Sequence, residues 1–186
     1  MPSGGRFTTL PVMASQFEEA FAIVKSLATD FDSNKTHFLS PAYQESEVRK
    51  DFIDKLLIAL GWDVNHDRQK NPFEQEVKVE RGVNVHGGQR RADYAFYIAP
   101  NFRDVRLFAE AKKPFGDIAT PQNYFQAIRY GWNARTPIAL LTDFEQFQIL
   151  DCRYKPDVDT ALSHGLRKFH FSEYADKEQF AFIYHL

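Results

Sequence analysis

Residues 105–142, VRLFAEAKKPFGDIATPQNYFQAIRYGWNARTPIALLT, decide the fold. VRLFAEAK, residues 105–112, alternates apolar and polar side chains with the period of a half-buried strand. Two prolines, Pro114 and Pro121, bracket a loop, and a helical pattern follows from Gln122 to about Asn133. PIALLTD then reads as a second strand. Two strands joined by a helical crossover pair in parallel, because a tight turn cannot reverse the chain and still leave it running in the same direction.

Working outward, EQFQILD follows PIALLTD across a short turn, and LRKFHF is a weaker strand pattern. Upstream, VNVHGGQRRADYAFYI carries Gly87-Gly88 between two extended runs, which predicts a hairpin whose second strand covers about Arg91–Ile98. The period of two begins earlier still, in GWDV and QEVKVE. Before it, EVRKDFIDKLLIALG sets Phe52, Ile53, Leu56, Leu57 and Leu60 on one helical face and stops at Gly61. Ser15-Gln16-Phe17-Glu18 fits a capping box, so a first helix is expected over about residues 16–28. Ser172 is the expected cap of a last helix starting near Glu173. The sum is an α/β fold, a central mixed sheet flanked by helices.

With 44% apolar and 15% aromatic residues among 186, the chain can bury one substantial core, so a single domain is expected over 15–186 after a lead-in at 1–14. A net charge of -2 supplies no global attraction to nucleic acid, so such binding would need a local basic surface. The lone Cys152 excludes an internal disulfide and a cysteine zinc site. With no secretory signal or membrane span in the sequence, the expected location is the cytoplasm. FAFIYHL at the end reads either as a cut within a longer polypeptide or as a terminal helix packed on the core.

Glu110 and Lys112, two apart on a strand, project from one face. Asp93 lies in the preceding strand among Tyr94, Phe96 and Ile98, where a carboxylate needs a cation or a hydrogen-bond partner. Two readings follow: a partly buried Asp93–Lys112 ion pair, or a divalent ion shared by Asp93 and Glu110. Magnesium suits the second, since one or two carboxylates plus waters and phosphate oxygens complete its octahedron. The chemistry would be phosphodiester hydrolysis, with Lys112 stabilising charge or positioning the attacking water. Glu45 opens the strong helix, and Gln126 and Tyr130, four apart, share a helix face.

In their order along the chain these pieces resemble the PD-(D/E)xK nucleases, and within them the nuclease domains of Type I restriction subunits and of single-chain restriction-modification enzymes. The likeness runs from about Tyr43 to Cys152: ESEVRKDFIDKLLIALGWDV, RADYAFYI, LFAEAKKP and QAIRY. It departs at Ala92, where the family motif has proline. The resemblance implies a restriction-endonuclease-like core, Mg2+, and Asp93, Glu110 and the Ala111 carbonyl as metal ligands. It also implies Lys112 as catalytic lysine, Glu45 rather than Glu47 as accessory acid, and Gln126 and Tyr130 as site-ordering residues. Arg68, Lys70, Arg90, Arg91, Lys113, Arg129 and Arg135 are the candidates for DNA phosphate contacts. The expected function is a DNA endonuclease domain of a restriction-modification enzyme, linked to methyltransferase, helicase or target-recognition domains. A RecB-like repair nuclease and a catalytically silent DNA-binding module are the alternatives.

Overall fold

The computed structural model describes the backbone of residues 10–85 and 88–186 and the side chains of 16–82 and 91–186. Helix α1 spans Leu10–Ser33, longer at both ends than its sequence pattern suggests. Ser15 lies inside it and is not its cap. At the other end the apolar stripe runs past Leu27 through Ala28 to the fully buried Phe31, so the helix continues with it. Phe31 sits 5.0–5.5 Å, ring centre to ring centre, from Phe38, Phe52, Phe144 and Phe171, tying the helix to four other parts of the chain.

After a short helix α2 (Lys35–Phe38), the strong amphipathic segment forms one continuous helix with a defect. Helix α3 (Glu45–Val48) passes through a π turn (Arg49–Ile53) into helix α4 (Asp54–Ala59). Phe52, Ile53, Leu56 and Leu57 are buried as expected, whereas Leu60 is only partly so. Gly61, at φ +96, ends it, with its own N–H on Ile58 and the Trp62 N–H on Leu57. GWDV is not a strand. Asp63 accepts the N–H groups of Asp67 and Arg68 at 2.8 and 2.9 Å and folds the segment into a turn instead.

The sheet starts at β1 (Val77–Val85), followed by β2 (Gly88–Phe96), β3 (Leu107–Ala111), helix α5 (Pro121–Ala134), β4 (Ile138–Thr142), β5 (Gln146–Asp151) and β6 (Gly165–His170). Strand order in space equals order in the chain, β1 to β6. β3 and β4 pair in parallel across the α5 crossover and every other pair is antiparallel. The mixed sheet, its parallel pair and the β1–β2 hairpin match the sequence expectation, although Gly88 belongs to β2 and residues 86 and 87 lie outside the described residues. One sheet face, with Val77, Tyr94, Phe96, Ala109, Leu140, Phe147 and Phe169, packs against α1, α4 and helix α6 (Lys177–Tyr184). Opposite it, Phe108, Ala139, Leu141 and Leu150 meet α5 through Tyr124, Ala127, Ile128 and Tyr130.

The last helix begins later than Ser172 implies. Phe171–Ala175 forms a 3-10 turn, pinned by the buried Tyr174 hydroxyl donating to the Phe144 carbonyl at 2.9 Å. Asp176 is the cap of α6 and accepts from the Glu178 and Gln179 N–H groups.

Candidate active site

β2 and β3 are paired from Phe96–Leu107 to Tyr94–Ala109 and no further. The next rung would set Asp93 opposite Glu110. There the strands part, and the Ala111 N–H donates to Asp93 Oδ2 at 2.8 Å, so the carboxylate replaces the missing strand partner. The gap between two diverging strands thus holds two acids.

Glu110 turns toward α5 and is 3% exposed. Its Oε1 accepts from Lys112 Nζ at 2.8 Å and from the Gln126 amide. Its Oε2, among the described residues, is buried with no hydrogen-bond partner. Burial, followed by the charge of Asp93, pushes the Glu110 carboxyl up to about 7, with Lys112 opposing. Burial works against the Lys112 charge, yet Glu110, Glu45 and Asp93 together raise its pKa above the ordinary lysine value. Lys112 is therefore a fixed cation and hydrogen-bond donor.

Glu45, the first residue of α3, completes the group. Burial and Asp93 raise its pKa, while Lys112 and Arg49 lower it, so all four charges lie within mutual reach. Glu47 is engaged elsewhere, accepting the Gln44 N–H at 2.7 Å in the helix cap. On α5, Gln126 also lies 3.5 Å from the Tyr130 hydroxyl, which donates to the Arg91 carbonyl at 2.7 Å and so fastens α5 to β2.

The structure adds one cation, Arg49, to which the sequence reading assigned no role, although its spacing from Glu45 fits the pattern of the nucleases the chain resembles. Arg49 Nη1 lies 3.6 Å from Asp93 Oδ1 and 3.9 Å from Glu80 Oε1. Glu80, at φ +52, stands opposite Asp93 on β1, where the otherwise regular β1–β2 pairing skips one rung. The available signal was the four-residue spacing from Glu45 to Arg49, which sets both on one helix face.

The proposed basic contacts divide. Arg91 is exposed beside the cluster, 3.6 Å from Glu80. Lys113 follows Lys112 and is exposed, and Arg129, one turn beyond Gln126, stacks 5.0 Å from the Phe125 ring centre. Arg68 does not join them. It donates to the Gly61 carbonyl and to Glu76 at the far end of the α3–α4 helix, roughly 20 Å from Glu45 by helical rise. Lys70 is exposed in the same loop, and Arg135 caps the C-terminal end of α5, at the edge where β4 begins. The Arg90 side chain lies outside the described residues.

Among the described residues no three His, Cys, Asp or Glu side chains form a ready-made metal cage. The unpartnered Glu110 Oε2, with Asp93 beside it and excess negative charge around, fits a hard cation that keeps part of its own water shell. A wide cleft between the Asn71–Gln75 and Pro100–Asp104 loops contains none of these acids.

The chain is 34% identical over 158 residues to the Escherichia coli protein described as "Type II restriction enzyme and methyltransferase RM.Eco57I". The alignment covers 83% of this chain and only 16% of that protein. No family model matches the chain, and no solved structure gives a significant match. Among the described residues no helix is long and apolar enough to cross a membrane. The similarity supports a domain related to restriction enzymes.

Proposed function

We propose that this restriction-enzyme-related chain is a Mg2+-dependent DNA endonuclease domain of the PD-(D/E)xK type, in a restriction-modification enzyme. One observation carries the reading: the buried Glu110 carboxylate, one oxygen held by Lys112 and Gln126 and the other without a partner, beside Asp93 in a gap between two strands. Asp93 and Glu110 would hold the ion, with the Ala111 carbonyl as a further ligand. When bound, Mg2+ polarises the phosphoryl oxygen, acidifies a coordinated water and screens developing charge.

The chain's own groups do the rest. Gln126 and Lys112 fix the Glu110 carboxylate by occupying Oε1, which leaves Oε2 to face a cation. Asp93, anchored by the Ala111 N–H, keeps Oδ1 for the same use. Lys112 stays protonated, so it orients water or stabilises the phosphoryl oxygens and does not act as a base. Tyr130 holds Gln126 in place through its bond to β2. Arg91, Lys113 and Arg129 are near enough to meet DNA phosphates around the cut. A duplex is a rod and requires an open charged face more than an enclosed pocket. Because the relative is far longer than this chain and is described as both restriction enzyme and methyltransferase, we assign target recognition and methylation to other domains.

Nicking of supercoiled plasmid in Mg2+ tests the assignment. Asp93→Ala, Glu110→Ala and Lys112→Ala should each lose at least about 100-fold in rate. A folded variant of any of the three that nicks at the parental rate removes that residue from the site.

A further inference from the structure

Arg49 is held firmly, yet its outer edge is barely used. Nε donates to the Tyr94 hydroxyl at 3.3 Å, and the guanidinium carbon lies 5.0 Å from the centre of the Tyr94 ring. Tyr94, fully buried, in turn donates to Asp54 Oδ1 at 2.6 Å. The π turn makes this grip possible. Arg49 and Asp54 are five apart, which on a regular α-helix would set them about 140° from each other. The wider π turn, closed by the Asp54 N–H on the Arg49 carbonyl, brings both to one hydroxyl.

The fork beyond Nε is another matter. A working arginine–carboxylate pair closes to about 2.7–2.9 Å, often through two parallel bonds. The distances to Asp93 and Glu80 are 3.6 and 3.9 Å, and among the described residues Nη1 and Nη2 make no hydrogen bond. The side chain is only 17% exposed, so desolvation has been incurred without the bonds that normally offset it. Lys112 contrasts with this, its ammonium closed onto Glu110 at 2.8 Å. Arg49 is thus a pre-positioned planar donor facing a group the protein does not supply. Phosphate matches a guanidinium fork in shape and charge.

We propose that Arg49 is a phosphate-contacting residue of this site, a guanidinium held by Tyr94 and the π turn to grip the DNA phosphodiester beside Asp93. The inference rests on the nuclease reading for its substrate, but its test can fail separately. A divalent ion on Asp93 must share that carboxylate with Arg49, so the two cations oppose each other there.

The test measures binding of a labelled duplex by fluorescence anisotropy across a salt series in Ca2+, and binding of Ca2+ alone by calorimetry. Arg49→Ala should weaken duplex binding about tenfold or more, and lower the slope of log affinity against log salt by about one, the signature of one lost phosphate contact. Its Ca2+ affinity should be unchanged or higher. If the alanine variant does not fold, Arg49→Gln, which keeps a hydrogen-bonding amide and loses the charge, carries the same expectations. Unchanged slope, or weaker Ca2+ binding with unchanged duplex affinity, would overturn the proposal and make Arg49 a brace for Asp93 only. Wild-type protein that binds duplex but no divalent ion would remove the nuclease reading while the Arg49 slope test still stands. Wild-type protein that binds no duplex overturns both.

Discussion

Replacing Glu110 by glutamine should change how the metal-free protein responds to pH. The native carboxyl is raised from 4.5 to about 7, chiefly by burial. A raised carboxyl leaves the fold most stable below its unfolded value and weakens it as pH climbs toward the folded one. From pH 4.5 to about 7 the metal-free protein should therefore lose about 3 kcal/mol on account of this group. Glu110→Gln keeps an acceptor for Gln126 and removes the titration. Relative to wild type, it should gain about 3 kcal/mol between pH 5 and pH 8, roughly 6 to 12 °C in Tm for a chain of this size. A divalent ion should nearly cancel that advantage at pH 8, since at a hundredfold over its Kd it adds about 2.7 kcal/mol to a protein that binds it. The assay is thermal unfolding of both proteins at pH 5 and 8, in EDTA and in Mg2+. Parallel wild-type and variant curves in EDTA, or equal stabilisation of both by Mg2+, would refute the argument that Glu110 is an ionisable acid waiting for a cation.

Asp143, buried in the β4–β5 turn and pushed up mainly by burial to about 8, has the same sign, so Asp143→Asn should flatten stability against pH between about 4 and 8, read by urea midpoints. Gly131→Ala should destabilise by about 1–3 kcal/mol in urea unfolding, because the added Cβ would lie 2.6 Å from Cys152 Cβ and 3.0 Å from Thr136 Oγ1. Tyr130→Phe should cost about 1–2 kcal/mol by leaving the Arg91 carbonyl without its donor, and should slow plasmid nicking through the loosened Gln126. Cys152, 2% exposed and with its thiol raised to about 12 by burial, should resist iodoacetamide at pH 8 until urea unfolds the chain.

What the sequence made legible were relations within one element. Glu110 and Lys112 are two apart on a strand, Gln126 and Tyr130 four apart on a helix, and both pairs meet as that spacing requires. The crossover between β3 and β4 was legible because the hydrophobic period changes from two to a helical one and back. Relations across elements were not. Asp93 meets the Ala111 N–H only because β2 and β3 part at that rung, and no local pattern marks a broken ladder. Arg49 depends on a π turn inside a sequence that reads as an ordinary amphipathic helix. Arg68 was drawn toward the site by charge alone, whereas Glu76 and the Gly61 carbonyl hold it at the opposite end of the helix. GWDV alternated like a strand, but Asp63 supplied a cheaper partner for the backbone than a sheet edge.

The agreement of spatial and chain order in the sheet bears on how the molecule assembles over time. Each strand, as it leaves the ribosome, finds its partner in the strand made just before it, so loop-closure entropy is small at every step and no strand has to be inserted between two others. The packing of α1 runs against that order: Phe31 meets Phe144 and Phe171, and Phe17 meets Phe180 of α6 at 5.5 Å between ring centres. The Phe17–Phe180 contact joins the first and last helices of the described residues, so the Phe17 end of α1 stays uncovered until α6 is made. For a domain whose relative is a much longer polypeptide, synthesis leaves one apolar surface open longest, and it lies on α1, away from the acids at the β2–β3 gap.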